Sequence, residues 1–193
     1  MNNLPKTLLL LFTKAGTVSP ELEDAIGSIL HHRCLKKREL LLEAGRICQN
    51  IYFIESGLTR SFYLDESIET SSWFMKENDI IISVKSFFLQ QPAEESIQAI
   101  EDTSLYYVSY TDLLSLYDQF SDFNHIGRRL TEYYYMQAEE RLINVRKRDA
   151  FERYRFIAVN HPEFIQRVPG KYIASYLGIT EETLSRLRSR KLI

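Results

Sequence analysis

The chain has 193 residues, 45% of them hydrophobic and 26% charged, with a formal net charge of −2. That much apolar residue with so little net charge excludes a disordered chain, and the length allows one large domain or a medium one with a small companion. Two cysteines, Cys34 and Cys48, stand far apart with no C-x-x-C. This excludes a disulfide scaffold and any zinc or iron–sulfur site built from cysteine, and they read as reduced thiols of a cytoplasmic protein.

Taken in chain order, Leu4 to Lys14 has helical spacing and stops near Gly16. Its apolar run, Leu8 to Phe12, is too short to span a membrane, and no small-residue cleavage site follows, so neither secretion nor membrane insertion is expected. Ser19-Pro20-Glu21 opens a second helix with a cap, a proline at the first turn and an acid, and this helix is expected to end near His31-His32. From about Leu35 to Ser109 the pattern changes to short β runs: 51–54, 58–64, 68–74, 80–82, 96–100 and 105–108. Leu58, Arg60, Phe62 and Leu64 alternate with Thr59, Ser61 and Tyr63, so the two sets are expected on opposite faces of one strand. Strands at this spacing with no long helix between them predict an antiparallel sandwich or jelly roll.

Helical spacing restarts at Thr111 to Tyr117. A long pattern then runs over 122–147 through Phe123, Gly127, Leu130, Tyr134, Ala138, Leu142 and Val145. A rod of roughly 39 Å at ~1.5 Å per residue is longer than a packing helix needs. It reads as a dimerisation helix with Leu130, Tyr134 and Ala138 near the twofold axis. Ala150 to Asn160 forms another helix, stopped by Pro162, and Phe164 to Val168 is expected to be extended.

Residues 170–187 read as two helices around a tight turn. Ala174 lies where the helices cross, Gly178 is in the turn, and Ile173, Leu177, Ile179, Leu184 and Leu187 face inward. Thr180 caps the second helix, with Thr183 three residues on. This is helix-turn-helix text, and a plain αα-hairpin is the alternative. It lies in the basic part of the chain: residues 141–193 carry 12 Lys+Arg against 5 Asp+Glu, whereas residues 1–140 have a balance of −9. A basic end on an acidic body fits a nucleic-acid-binding module joined to something else.

With these residues in view, the chain resembles the Crp–Fnr transcription regulators over nearly its whole length: a β-roll sensor domain, a long dimer helix and a C-terminal helix-turn-helix. Glu182-Thr183-Leu184-Ser185-Arg186 is similar to the E-x-x-S-R signature of the Fnr branch. The resemblance implies that Glu182, Ser185 and Arg186 touch base edges in the major groove. The chemistry agrees, since Arg reads guanine O6/N7, Glu accepts from cytosine N4 and Ser serves either. Thr180, Glu181 and Ser189 complete the candidate DNA face, with Lys171 and Arg188 as phosphate contacts. Glu181 stands where the catabolite activator branch has arginine, so that branch's operator is not expected. The sequence shows no β-hairpin wing after the recognition helix, which implies fewer phosphate contacts. The implied partners are double-stranded DNA with an inverted repeat, a second copy of the chain in a homodimer, RNA polymerase and a small-molecule effector of unknown identity.

Cyclic-nucleotide sites in this fold hold the phosphate on a glycine-rich bend and an arginine. Here no glycine lies between Gly57 and Gly127 and no arginine between Arg60 and Arg128, while Glu94 and Glu95 stand where a cation is wanted. A response to cAMP is therefore not expected. Ser83, Lys85 and Ser86, with Tyr63 and Trp73, are the candidate effector pocket, against the alternative of a solvated loop and core aromatics. The histidines form no metal-ligand pattern, no cofactor motif is present, and no nucleophile elbow supports an enzyme. The expected fold is α+β, with an effector domain and dimer helix at 1–148 and a DNA-binding domain at 149–193. Two alternatives remain open: a β-roll sensor that does not bind DNA, and a cupin-like enzyme.

Overall fold

The computed structural model describes residues 4–147 and 149–189. Helices α1 (Lys6–Ala15) and α2 (Pro20–Ile29) come first. Ser19 Oγ accepts the Leu22 N–H (3.3 Å) and Pro20 takes the first turn, as the sequence implies. The second helix stops earlier than expected. His31 and His32 are not its last residues but open strand β1 (His31–Leu35), where their rings lie against Tyr107 (5.2 Å) and Tyr106 (5.0 Å) of the neighbouring strand. Cross-strand ring pairs of this kind favour the pleat over another helical turn.

Seven further strands follow: β2 (Leu40–Leu42), β3 (Asn50–Ser56), β4 (Leu58–Asp65), β5 (Ile68–Lys76), β6 (Ile80–Ile81), β7 (Ser96–Ala99) and β8 (Thr103–Ser109). They form two four-stranded sheets, ordered β1-β8-β3-β6 and β2-β7-β4-β5, with every pairing antiparallel. The fold is α+β with a β-roll, as its text of short strands and turns predicts. Gly57, between β3 and β4, has φ +105°, and a Cβ there would lie 2.7 Å from Thr103 Cα and 2.8 Å from the Asp102 carbonyl. Only glycine fits such a turn.

Two expectations within the roll are corrected. Strand β4 does not alternate: Leu58 to Phe62 are all buried, and a bulge interrupts the register between Ser61 and Phe62. The outer face of this sheet is covered by the C-terminal helices, so both faces are dry. Residues 84–89 form a short helix, α3 (Val84–Leu89), in place of a solvated loop. Ser86 lies inside it, 1% exposed, accepting from Cys48 N (2.9 Å) and donating to the Gln91 carbonyl.

Helix α4 (Tyr110–Gln119) leads into α5 (Ser121–Lys147), a 27-residue rod. Its first turns pack on α1 and α4 through Phe123, whose ring meets Phe12 edge-on (6.2 Å) and Tyr117 (4.9 Å). Further along, Tyr134 Oη accepts the Ile80 N–H (2.7 Å). Leu130, Tyr134 and Ala138 line a cavity between α5 and the roll of their own chain. The exposed large apolar residues of α5 are Tyr133, Tyr135, Met136, Leu142, Ile143 and Val145.

Past Arg148, which lies outside the described residues, Asp149 caps α6 (Ala150–Asn160) by accepting from Glu152 N (2.9 Å). Residues 162–167 are helical, α7 (Pro162–Arg167), where an extended stretch was expected; Pro162 starts this helix as well as ending the previous one. Helices α8 (Gly170–Leu177) and α9 (Glu181–Ser189) complete the chain. One apolar cluster joins Leu58, Phe74 and Ile100 of the roll to Phe164, Ile173, Leu184 and Leu187 of these helices.

Candidate nucleic-acid interface and adjoining cavity

The turn between α8 and α9 is built from its residues as the text implies. Gly178 takes φ +64°, and the N–H of Ile179 returns to the Ala174 carbonyl (3.0 Å), closing α8 with a left-handed glycine. Thr180 Oγ1 accepts the Thr183 N–H (3.1 Å) and so starts α9. Ile173, Ala174, Leu177, Leu184 and Leu187 are buried, so α9 rests on α8 along one side only.

The other side of α9 is open. Glu182, Ser185, Arg186 and Ser189 recur at the i, i+3, i+4 and i+7 spacing of one helical face, and all four are exposed. Arg186 Nη2 is 3.5 Å from Glu182 Oε1, a weak exposed pair that a stronger partner displaces at little cost. The Ser189 hydroxyl donates to the Arg186 carbonyl (2.8 Å). Glu181 and Arg188 flank this face, and the Thr180 hydroxyl is engaged in the cap. Lys171 stands apart on α8, exposed, with its ammonium 4.8 Å from the Tyr172 ring. Four of the eight candidates therefore share one face, and the others surround it.

Sequence reasoning missed how this helical unit is fastened to the roll. Arg60, expected as an ordinary strand residue, is 0% exposed and sandwiched between the rings of Phe62 (4.1 Å) and Tyr172 (3.6 Å). Its guanidinium donates to Gln98 Oε1 (3.1 and 2.8 Å) and to Glu69. Ser175 of α8 caps the edge of β5, accepting from Ser71 N (2.9 Å) and donating to the Glu69 carbonyl (2.9 Å). Arg167 binds Glu77 through both guanidinium arms (2.9 and 2.6 Å) and also meets Glu101; Lys76 pairs with Glu163. The Arg167 guanidinium holds the Glu77 carboxyl down to about 2. The one sequence signal was an arginine at a strand position inside an apolar run.

On the β-roll the structure separates the candidate pocket residues. Tyr63 and Trp73 line a cavity of about 710 Å³ between the roll, α5 and the α6–α7 corner; Ser83, Lys85 and Ser86 do not. Ser83 and Ser86 are buried structural groups, and Lys85 is paired with Glu94. Burial and the neighbouring Glu95 push the Tyr63 hydroxyl up to about 12. A phosphate approaching Tyr63 meets the Glu95 carboxylate. Among the described residues no group of three His, Cys, Asp or Glu could hold a metal, and no helix is long and apolar enough to cross a membrane.

Comparison with known proteins agrees with this architecture. Residues 32–120 match the family described as the cyclic nucleotide-binding domain. No curated protein sequence matches the chain. Among solved structures, the chain is similar to FixK2 from Bradyrhizobium japonicum at 20% identity, covering 83% of each chain with a TM-score of 0.66. It is similar to the catabolite activator protein of Thermus thermophilus at 19% identity, covering 92% of this chain and 84% of that one, TM-score 0.57. A transcriptional regulator assigned to the Crp/Fnr family from Eubacterium rectale matches at 15% identity over 88% and 81%, with a TM-score of 0.69. Residues 32–120 are thus similar to cyclic nucleotide-binding domains, and the chain as a whole has the fold of these solved structures.

Proposed function

We propose that the chain is a DNA-binding transcription regulator of the Crp–Fnr type, with an effector domain and dimer helix over 1–148 and a DNA-binding domain over 149–193. The observation that carries this reading is the open face of α9, where Glu182, Ser185, Arg186 and Ser189 stand exposed and aligned on a helix whose opposite side is locked to α8. In the major groove Arg186 reads a guanine, Glu182 a cytosine amino group, and Ser185 either. Thr180, Glu181 and Ser189 sit at its margins, while Lys171 and Arg188 hold phosphate. The protein acts in the cytoplasm as a homodimer on an inverted repeat with half-sites roughly 34–36 Å apart, contacts RNA polymerase, and has no catalytic activity. The filled stretch at 83–97 supports a regulator that does not answer to cAMP. Absence of the Lys85 and Ser86 side chains from the cavity moves the effector site toward Trp73.

Selection of bound duplexes from random DNA, followed by two variants, tests the assignment. Arg186→Ala costs roughly 1–3 kcal/mol on the selected site and relaxes one base per half-site. Lys171→Ala weakens all sequences alike and lowers the salt slope by about one per subunit. If Arg186→Ala weakens selected and scrambled duplexes by the same factor, Arg186 is a phosphate anchor. If no duplex is retained at low salt, the helical unit only packs on the roll, as its broad attachment to β4 and β5 would allow.

A further inference from the structure

The 710 Å³ cavity is within the size range of small-molecule sites, roughly 300–1,000 Å³, and its walls are mostly apolar and aromatic. Four charged side chains reach it: Lys76, Asp79, Glu95 and Arg141. Three are engaged by the protein. The Lys76 ammonium pairs with Glu163, Asp79 Oδ2 accepts the Lys76 backbone N–H (2.9 Å), and the Glu95 carboxylate neighbours the Tyr63 hydroxyl.

Arg141 differs. It projects from α5, half-buried, with its guanidinium carbon 4.2 Å from the centre of the Trp73 ring. Among the described residues no hydrogen bond or ion pair engages its N–H groups, and Tyr176 and Asp79 act on it only through their charge. Stacking on indole satisfies the face of a guanidinium and leaves its edge donors unused. A cation withdrawn from water and left unpaired is costly, and its planar fork matches a carboxylate in two parallel hydrogen bonds.

The other ring contacts of Trp73 complete the geometry. Its ring meets Phe164 (5.9 Å), His161 (5.4 Å) and Tyr176 (5.7 Å), all in the helical unit that ends in α9, and Phe164 and His161 line the same cavity. We infer that this cavity binds an apolar monocarboxylate, its carboxylate on the Arg141 fork and its body along Trp73 and Phe164, so that one ligand touches both the roll and the DNA-reading helices. The ligand site stands on the cavity itself; only its role as the effector rests on the regulatory reading above.

Trp73 is the one tryptophan of the chain, so its emission reports the site directly. Decanoate is the probe, titrated below its micelle concentration into the full chain without DNA, with decan-1-ol as the neutral counterpart and calorimetry as a second readout. Decanoate is expected to give a saturable change and to bind at least tenfold more tightly than decan-1-ol. Arg141→Gln should lose that tenfold preference and leave decan-1-ol binding unchanged. Ala138→Phe, which fills the cavity from α5, should abolish both, with folding checked by circular dichroism. No saturable binding by either readout, or a preference for decanoate that survives Arg141→Gln, overturns the inference. DNA retention is measured separately: decanoate binding by a chain that retains no duplex sinks the regulatory reading and leaves the site standing.

Discussion

Removing Arg167 tests whether the helical unit is held on the roll by a specific ion pair or only by apolar contact. Arg167 reaches Glu77 through both arms, at 2.9 and 2.6 Å, and Glu77 also accepts the Gly57 N–H (2.9 Å). The Glu77 carboxyl is held at about 2, some 2.5 units below its usual 4.5. At 1.36 kcal/mol per unit this sets a ceiling of roughly 3.4 kcal/mol. Both side chains are about a third exposed, and solvent screening reduces the share to roughly 1–2 kcal/mol. Arg167→Gln should therefore lower the melting temperature by roughly 3–6 °C in a chain of this length. A double-mutant cycle with Glu77→Gln should show coupling of about 1 kcal/mol or more. Because the folded carboxyl is depressed, its contribution is complete above pH 4.5 and is lost as pH falls toward 2. The penalty of Arg167→Gln should be equal at pH 7 and pH 5.5 and should shrink below 4.5. Zero coupling in the cycle, or a penalty that stays constant down to pH 3, would refute the pair as a fastening.

Three other outcomes follow from named positions. Gly178 has φ +64° and open space around its Cβ position, so Gly178→Ala should cost about 1 kcal/mol and Gly178→Asn less, by denaturant titration. Burial pushes the Asp79 carboxyl up to about 6, so its ionisation opposes folding above that pH. Asp79→Asn should then raise stability by roughly 2–3 kcal/mol at pH 7, a gain that fades as pH falls from 6 to 4; an unchanged melting curve at pH 7 counts against it. Met136→Glu, on the outward face of α5, should weaken self-association in sedimentation, whereas Tyr134→Phe should not, since Tyr134 turns toward Ile80 of its own chain.

What was legible in the sequence was whatever one residue type at one spacing controls. Ser19-Pro20, the run of short strands, the long 122–147 pattern and the Ala174–Gly178 turn each carry their geometry locally, and each element forms where the text places it. The misses share a cause. His31 and His32 were read as a helix end because their partners, Tyr106 and Tyr107, lie some seventy-five residues away. On α5 the period places Tyr134 on the helix but not its bond to the Ile80 N–H of β6. A helix with apolar residues on several sides does not declare which of them meets its own roll. Pro162 was read only as a stop, though proline ends one helix and begins another with equal ease. Lys85 and Ser86 were candidates for the effector pocket, and their partners, Glu94 and Cys48, are set by the fold.

Arg60 shows what these long-range partners accomplish. A fully buried guanidinium on a β-strand is costly unless its environment supplies acceptors and rings, and here they come from three separate segments: Gln98 on β7, Glu69 on β5 and Tyr172 on α8. Removing Tyr172 from this stack would expose one face of Arg60 to a gap, so the position of α8 is coupled to the satisfaction of a charge inside the sheet. Trp73 makes a second, parallel link, from the cavity to Phe164 and Tyr176. Sheet β2-β7-β4-β5 is thus the common support of the cavity and of helices α7 and α8. A change at its Trp73 end reaches α8 through packed rings, and a change at its Arg60 end reaches the same helix through the stack of Arg60 on Tyr172.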